Sequence, residues 1–165
     1  MTFLRSTETL FGPQGQKLTL NVPVSFSADC SKRAPYNANP PPPSPGVYAK
    51  YAAQIVDQLV RARNETLLLP RGIWLNVNFP DVNKCRHPWK TVLTRIYPGT
   101  FSDADMVICG DNRLPQEWQA VNNCHIALTV GDASDKKTAD ARSQAIVAEK
   151  FGGMLSCCAD CYLIE

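Results

Sequence analysis

Seven cysteines, two histidines and a set of isolated carboxylates are the side chains of this 165-residue chain that could do chemistry. Cys158-Ala159-Asp160-Cys161 has the spacing of a redox motif. A thioredoxin-type site needs a strand before the first cysteine and a helix beginning at it, and only four residues follow Cys161, so a structural disulfide is the favoured reading. A zinc set of His125 with Cys124, Cys158 and Cys161 can be drawn. Neighbouring residues of a strand point to opposite faces, which keeps Cys124 and His125 from reaching one ion easily. Two adjacent carboxylates are a common way to hold a divalent ion for phosphate chemistry. No Asp-Asp, Glu-Glu or Asp-Glu dipeptide occurs here, and the nearest approach, Asp103-Ala104-Asp105, reads as a solvated loop. There is no glycine-rich phosphate loop and no nucleophile elbow. Three polar residues remain. Ser27 ends a short apolar strand, where α/β folds place ligands. Asn76 and Asn78 share the polar face of an alternating strand and can approach a substrate from it, although hydrogen bonding on the sheet surface is the commoner use.

These residues need elements to hold them. Val22-Pro23-Val24-Ser25-Phe26-Ser27 reads as a buried strand, with Pro23 near its start. Residues 28–46 form a loop around four consecutive prolines, Pro40 to Pro43, a stiff surface connector. Ser44-Pro45 marks a helix start. Tyr48, Tyr51, Ala52, Ile55, Val56 and Leu59 then recur at helical spacing to about Arg63. Ile73, Leu75, Val77 and Phe79 alternate with Trp74, Asn76 and Asn78, a half-buried strand ended by Pro80. Residues 91–96, 106–109 and 125–130 are further strand candidates. Asp135 can cap a last helix over 136–151, which Gly152-Gly153 ends. Residues 1–20 show no clear periodicity. The order predicts an α/β sheet with antiparallel additions. In it residues 22–27 and 73–79 share one sheet, and the crossover helix between them, Pro45 to Arg63, packs on it through Ile55 and Leu59.

Composition sets the outer bounds. Apolar residues make up 44% and charged residues 19%, enough for a core and too ordered a balance for a disordered tail. A net charge of +2 with an isoelectric point near 8.2 argues against a nucleic-acid polymer as partner. No apolar run approaches the length of a membrane span, which argues against a membrane role. The odd cysteine count leaves at least one thiol free or bonded elsewhere. Asn64-Glu65-Thr66 is a glycosylation sequon. Both lean towards an oxidising compartment, whereas Glu8 interrupts the first residues before they reach signal-peptide length. Localisation stays open, with export expected only of a longer parent.

In this order and spacing the segments resemble a known family. Leu75-Asn76-Val77-Asn78-Phe79-Pro80 resembles the Leu-Asn-Val-Asn-x-Pro signature of the survival-protein SurE-like phosphatase/nucleotidase family, and residues 22–27 resemble its Pro-Ser-Ile-Ala-Phe-Ser strand. Residues 91–96, Cys109-Gly110, Leu114-Pro115-Gln116-Glu117 and 124–133 resemble segments of its fungal secreted, acid-phosphatase-like branch. The resemblance spans roughly residues 22–158. It implies the carboxyl-terminal part of a Rossmann-like domain, incomplete here, with β-hairpin additions that mediate homo-oligomerisation. It also implies an irregular lead-in at 1–21 and a tail at 159–165. The implied activity is hydrolysis of phosphate monoesters, typically nucleoside monophosphates, with a divalent metal (Mg or Mn). The family's metal ligands lie in an Asn-Asp-Asp-Gly loop and neighbouring motifs that do not occur in this sequence, so no catalytic residue or bound metal is expected for this chain. The alternative is a non-catalytic remnant serving oligomerisation or binding. From the order of elements, two disulfides are expected, Cys85–Cys109 and Cys124–Cys157, with Cys30 unpaired.

Overall fold

The computed structural model describes residues 2–11, 17–28, 35, 37–40, 42, 44–62, 68–99 and 102–162. Five strands form one mixed sheet in the order β1-β2-β3-β5-β4. β1 (Thr2–Phe11) and β2 (Lys17–Ala28) are an antiparallel pair, and β2 runs parallel to β3 (Ile73–Phe79). β5 (Ile126–Asp132) is antiparallel to β3 and parallel to β4 (Thr91–Thr94). The fold is therefore mixed α/β. The two strands expected to share a sheet do so, with Ser25 opposite Asn76 and Ser27 opposite Asn78. The irregular lead-in expected at 1–21 is corrected: residues 2–11 form β1, held by an antiparallel backbone ladder to β2 although they lack a period-2 signal. Cys30 and the sequon Asn64 lie outside the described residues.

One sheet face carries the main core. Ile73, Leu75, Val77 and Phe79 from β3 meet Ile126, Leu128 and Val130 from β5, with Val24 and Leu93 beside them. Helix α1 (Ser44–Arg61) covers this face by burying Ile55 and Leu59, one helical turn apart, as its periodicity predicts. Helix α3 (Ala141–Phe151) lies beside it through Val147, Ala148 and Phe151. Its N-cap is Asp140, which accepts from the Ser143 N–H, five residues after the expected cap. Asp135 instead holds the Lys137 N–H in a turn.

The other face is shallower and polar. β5 is buried on both sides, but its second face shows only Ala127, Thr129 and Gly131. These small residues admit two close neighbours. Helix α2 (Glu117–Asn122) seats Ala120, fully buried, in a small cluster with Val92, Ala127, Cys158 and Cys161. The Trp74 indole lies over Gly131, where a Cβ would come within 2.2 Å of the ring. Sequence patterning misses α2 because six residues are too short for a periodic signal; Gln119 fixes its start by accepting from the Gln116 N–H. Residues 106–109 form no strand. Cys109 (φ 58°) and Gly110 (φ 86°) turn the chain back on itself, so Ile108 bridges Asp111.

Six cysteines form Cys85–Cys124, Cys109–Cys157 and Cys158–Cys161. All four expected cysteines are bonded, but the expected partners are exchanged. β4 and β5 are parallel neighbours, so the segments that enter them lie side by side: Ile126 N–H donates to Lys90 O, and Cys85 meets Cys124 at a Cα separation of 5.3 Å. The loop after β4 is tied to α3 where the Met106 N–H donates to Gln144 Oε1, and Cys109 meets Cys157 at 5.7 Å.

Candidate functional site

The three polar residues singled out from sequence stand together on the second sheet face. Two rows cross four strands there: Ser25, Asn76, Thr129 and Thr94 in one, Ser27, Asn78, Ala127 and Val92 in the next. The period-2 alternation of β2 and β3 puts them on this side, since Val24, Leu75 and Val77 are spent on the core. Ser27 Oγ–H donates to Asn78 Oδ1. Asn76 Nδ2 donates to Glu117 Oε1 on α2 at 2.8 Å. Thr94 and Thr129 share a hydroxyl–hydroxyl bond of 2.7 Å. Ser25 Oγ is buried without a hydrogen-bond partner among the described residues. Ser27, Asn76 and Asn78 are half-buried, so this part of the strip meets solvent and can present hydroxyl and amide groups to a ligand. Glu117 is the member that sequence reading missed. Only the placement of α2 brings it over a strand 41 residues away.

A second polar centre lies where β4 and β5 end. A cavity of about 440 Å³ is bordered by Arg95, Ser102, Asp103, Asp132, Lys137 and Asp140. Its floor is a closed network. Arg95 Nη1 donates to Asp105 Oδ2 at 2.6 Å, with both side chains 4% exposed, and Nη2 donates to Ser102 Oγ. Asp105 also accepts from Gln144 Nε2 at 2.8 Å and from the Leu114 N–H at 2.9 Å. Asp105 thus corrects the solvated-loop reading of Asp103-Ala104-Asp105. A buried carboxylate needs a charged partner and further donors, and Arg95, ten residues upstream, supplies the charge. At the rim, Asp132 takes the Ser134 N–H, which holds its carboxyl below the usual carboxylate range.

The described residues do not fit the divalent metal that the resemblance implies. Among the described residues no group of three or more His, Cys, Asp or Glu side chains is placed to hold an ion. The rim carboxylates Asp132, Asp135 and Asp140 are each engaged by a backbone N–H of their own turn or cap. The zinc set is dismantled too, because Cys124, Cys158 and Cys161 are all in disulfides. His125 instead lies with Nδ1 2.6 Å from Asn123 O and 3.9 Å from Cys158 Sγ. His87 is exposed, set edge-on to the Trp89 ring.

No family model, curated protein or solved structure matches this chain.

Proposed function

We propose that this chain is the carboxyl-terminal portion of a SurE-like phosphatase/nucleotidase fold, and that it frames a phosphate-monoester site without supplying the metal chemistry. One observation carries the reading. The two strands that bear the resemblance, residues 22–27 and 75–79, lie next to each other in parallel register, and their polar members Ser25, Ser27, Asn76 and Asn78 fall on one face. In this reading that face receives the substrate side of the complete fold, with Ser27 and Asn78 as its contact residues. A Rossmann-like identity for the sheet, and membership of the secreted branch with its nucleoside monophosphate substrates and homo-oligomers, belong to the same proposal. A divalent ion in the parent enzyme would polarise the ester and activate water. The residues of this chain provide a hydroxyl, two amides and a rigid sheet to present them. Standing alone, the chain is a binding scaffold.

The reading is tested by titrating the isotopically labelled 165-residue chain with a nucleoside monophosphate and following the side-chain amide signals of Asn76 and Asn78 by NMR. Saturable shifts at Asn78 are expected, and the S27A variant, which keeps the Asn78 amide as reporter, should weaken them. Absence of any shift up to millimolar ligand would remove the substrate-facing role of the strip.

A further inference from the structure

The polar strip has a direction. In the row of Ser27 and Asn78 the Ser27 hydroxyl donates to Asn78 Oδ1, so the donor side of that amide, Nδ2, is left without a partner among the described residues. Two residues back along β3, about 6.6 Å by strand geometry, the amide is used the other way round. Asn76 Nδ2 donates to Glu117 Oε1 at 2.8 Å, because a carboxylate only accepts. Asn76 Oδ1 and Glu117 Oε2 then remain as acceptors with no partner among the described residues. Ser25 stands beside Asn76 in the same row. Its hydroxyl is 4% exposed and has no hydrogen-bond partner among the described residues, a state that costs free energy until a partner completes it. One row of the strip therefore offers a donor, and the next offers acceptors.

A phosphate and a carboxylate repel at close range, which bars a phosphate from the Glu117 row and directs it to the Asn78 amide. Hydroxyl groups suit the Glu117 row, since each O–H can donate to a carboxylate or amide oxygen. Acidic side chains take ribose hydroxyls in this way in dinucleotide-binding folds. From this polarity we infer that the substrate lies lengthwise on β3, with its phosphate at Asn78 and a vicinal diol at Asn76 and Glu117. Glu117 is then a specificity-determining residue, and it selects phosphate monoesters built like a ribose 5-phosphate unit. One diol hydroxyl donates to Glu117 Oε2 and the other to Asn76 Oδ1. An alcohol without the diol loses both bonds and leaves these acceptors unpaired. The inference rests on the reading of this face as the substrate side, and it adds the direction of the substrate and the group that decides among monoesters.

The labelled 165-residue chain is titrated with adenosine 5′-monophosphate, its 2′,3′-dideoxy analogue, ribose 5-phosphate and inorganic phosphate. The side-chain amides of Asn76 and Asn78 are followed as separate reporters. Adenosine monophosphate and ribose 5-phosphate should shift both amides, and inorganic phosphate should shift Asn78 alone. The dideoxy analogue should bind at least about tenfold more weakly than adenosine monophosphate. Glu117→Gln keeps an acceptor oxygen for Asn76 Nδ2, and in this variant the two nucleotides should bind alike. Equal affinity of the two nucleotides for the native chain, or a ribose 5-phosphate that moves Asn78 alone, would overturn the inference while the substrate-side reading stands. Full discrimination retained by a folded E117Q variant would overturn it as well. No shift with any of the four ligands would overturn both. The ligand series needs only the native chain, so it decides the question even where E117Q does not fold.

Discussion

The two ends of this sheet are built in different ways. At the carboxyl end, residues 73–161 combine two core strands, three disulfides and the buried Arg95–Asp105–Gln144 network. At the amino end, β1 and β2 make a hairpin longer than the sheet it joins. β2 pairs with β3 at residues 24–28, so among the described residues its earlier half has β1 as its one strand neighbour. A two-stranded ribbon is marginal in water without a third strand or a helix beneath it. The contrast teaches where the stability lies: the carboxyl region holds itself, while the distal hairpin borrows order from the strand it extends.

The contrast can be broken most severely at the cystines. Loops of 39 and 48 residues each contribute about 4 kcal/mol by the chain-entropy model, against a total of about 5–15 kcal/mol for a domain. Replacing Cys85, Cys124, Cys109 and Cys157 together by alanine should therefore leave residues 73–161 without a cooperative thermal transition at 37 °C, as followed by circular dichroism. A sharp native-like transition in that variant would show that the core, and not the staples, carries the region.

Next comes the buried ion pair. Asp105→Ala leaves the Arg95 guanidinium, the Leu114 N–H and one Gln144 amide bond uncompensated in the interior, and should cost about 3–5 kcal/mol in chemical denaturation. A loss below about 1 kcal/mol, the size of an exposed pair, would mean that water reaches this network. Asp140→Ala removes the cap of α3 and should cost about 1 kcal/mol. The smallest global effect is expected in the arm. Thr7→Pro deletes a ladder position opposite Asn21, and should abolish amide protection in the distal hairpin while moving the main transition by less than about 0.5 kcal/mol. A larger shift would tie the arm to the core and erase the contrast.

The same division explains what could be read from the sequence. β3 and α1 were legible because burial on one side imposes a period on the residues, and Ile55, Leu59 and the alternation of 73–79 carry it. The parallel neighbours β2 and β3 followed from a helix of crossover length between them. β1 was not legible, since an edge hairpin is specified by its backbone ladder. Of the site, Ser27, Asn76 and Asn78 were visible as polar positions on strands. Glu117 and the Arg95–Asp105–Gln144 network were not, because their partners are set by tertiary placement at separations of 10 to 41 residues. Disulfide pairing failed for a related reason: the order of elements brings Cys85, Cys109, Cys124 and Cys157 near one another without deciding which two approach at the required distance.

The central functional claim is that this chain carries the framework of a phosphate-monoester site without its catalytic metal chemistry. The direct test is hydrolysis of nucleoside monophosphates and of a chromogenic phosphate monoester by the purified 165-residue chain, with Mg²⁺ or Mn²⁺ and with EDTA. The account predicts rates equal to the blank under every condition. EDTA-sensitive hydrolysis that survives repeated purification would contradict it, and would require a metal site built from residues other than those placed together here.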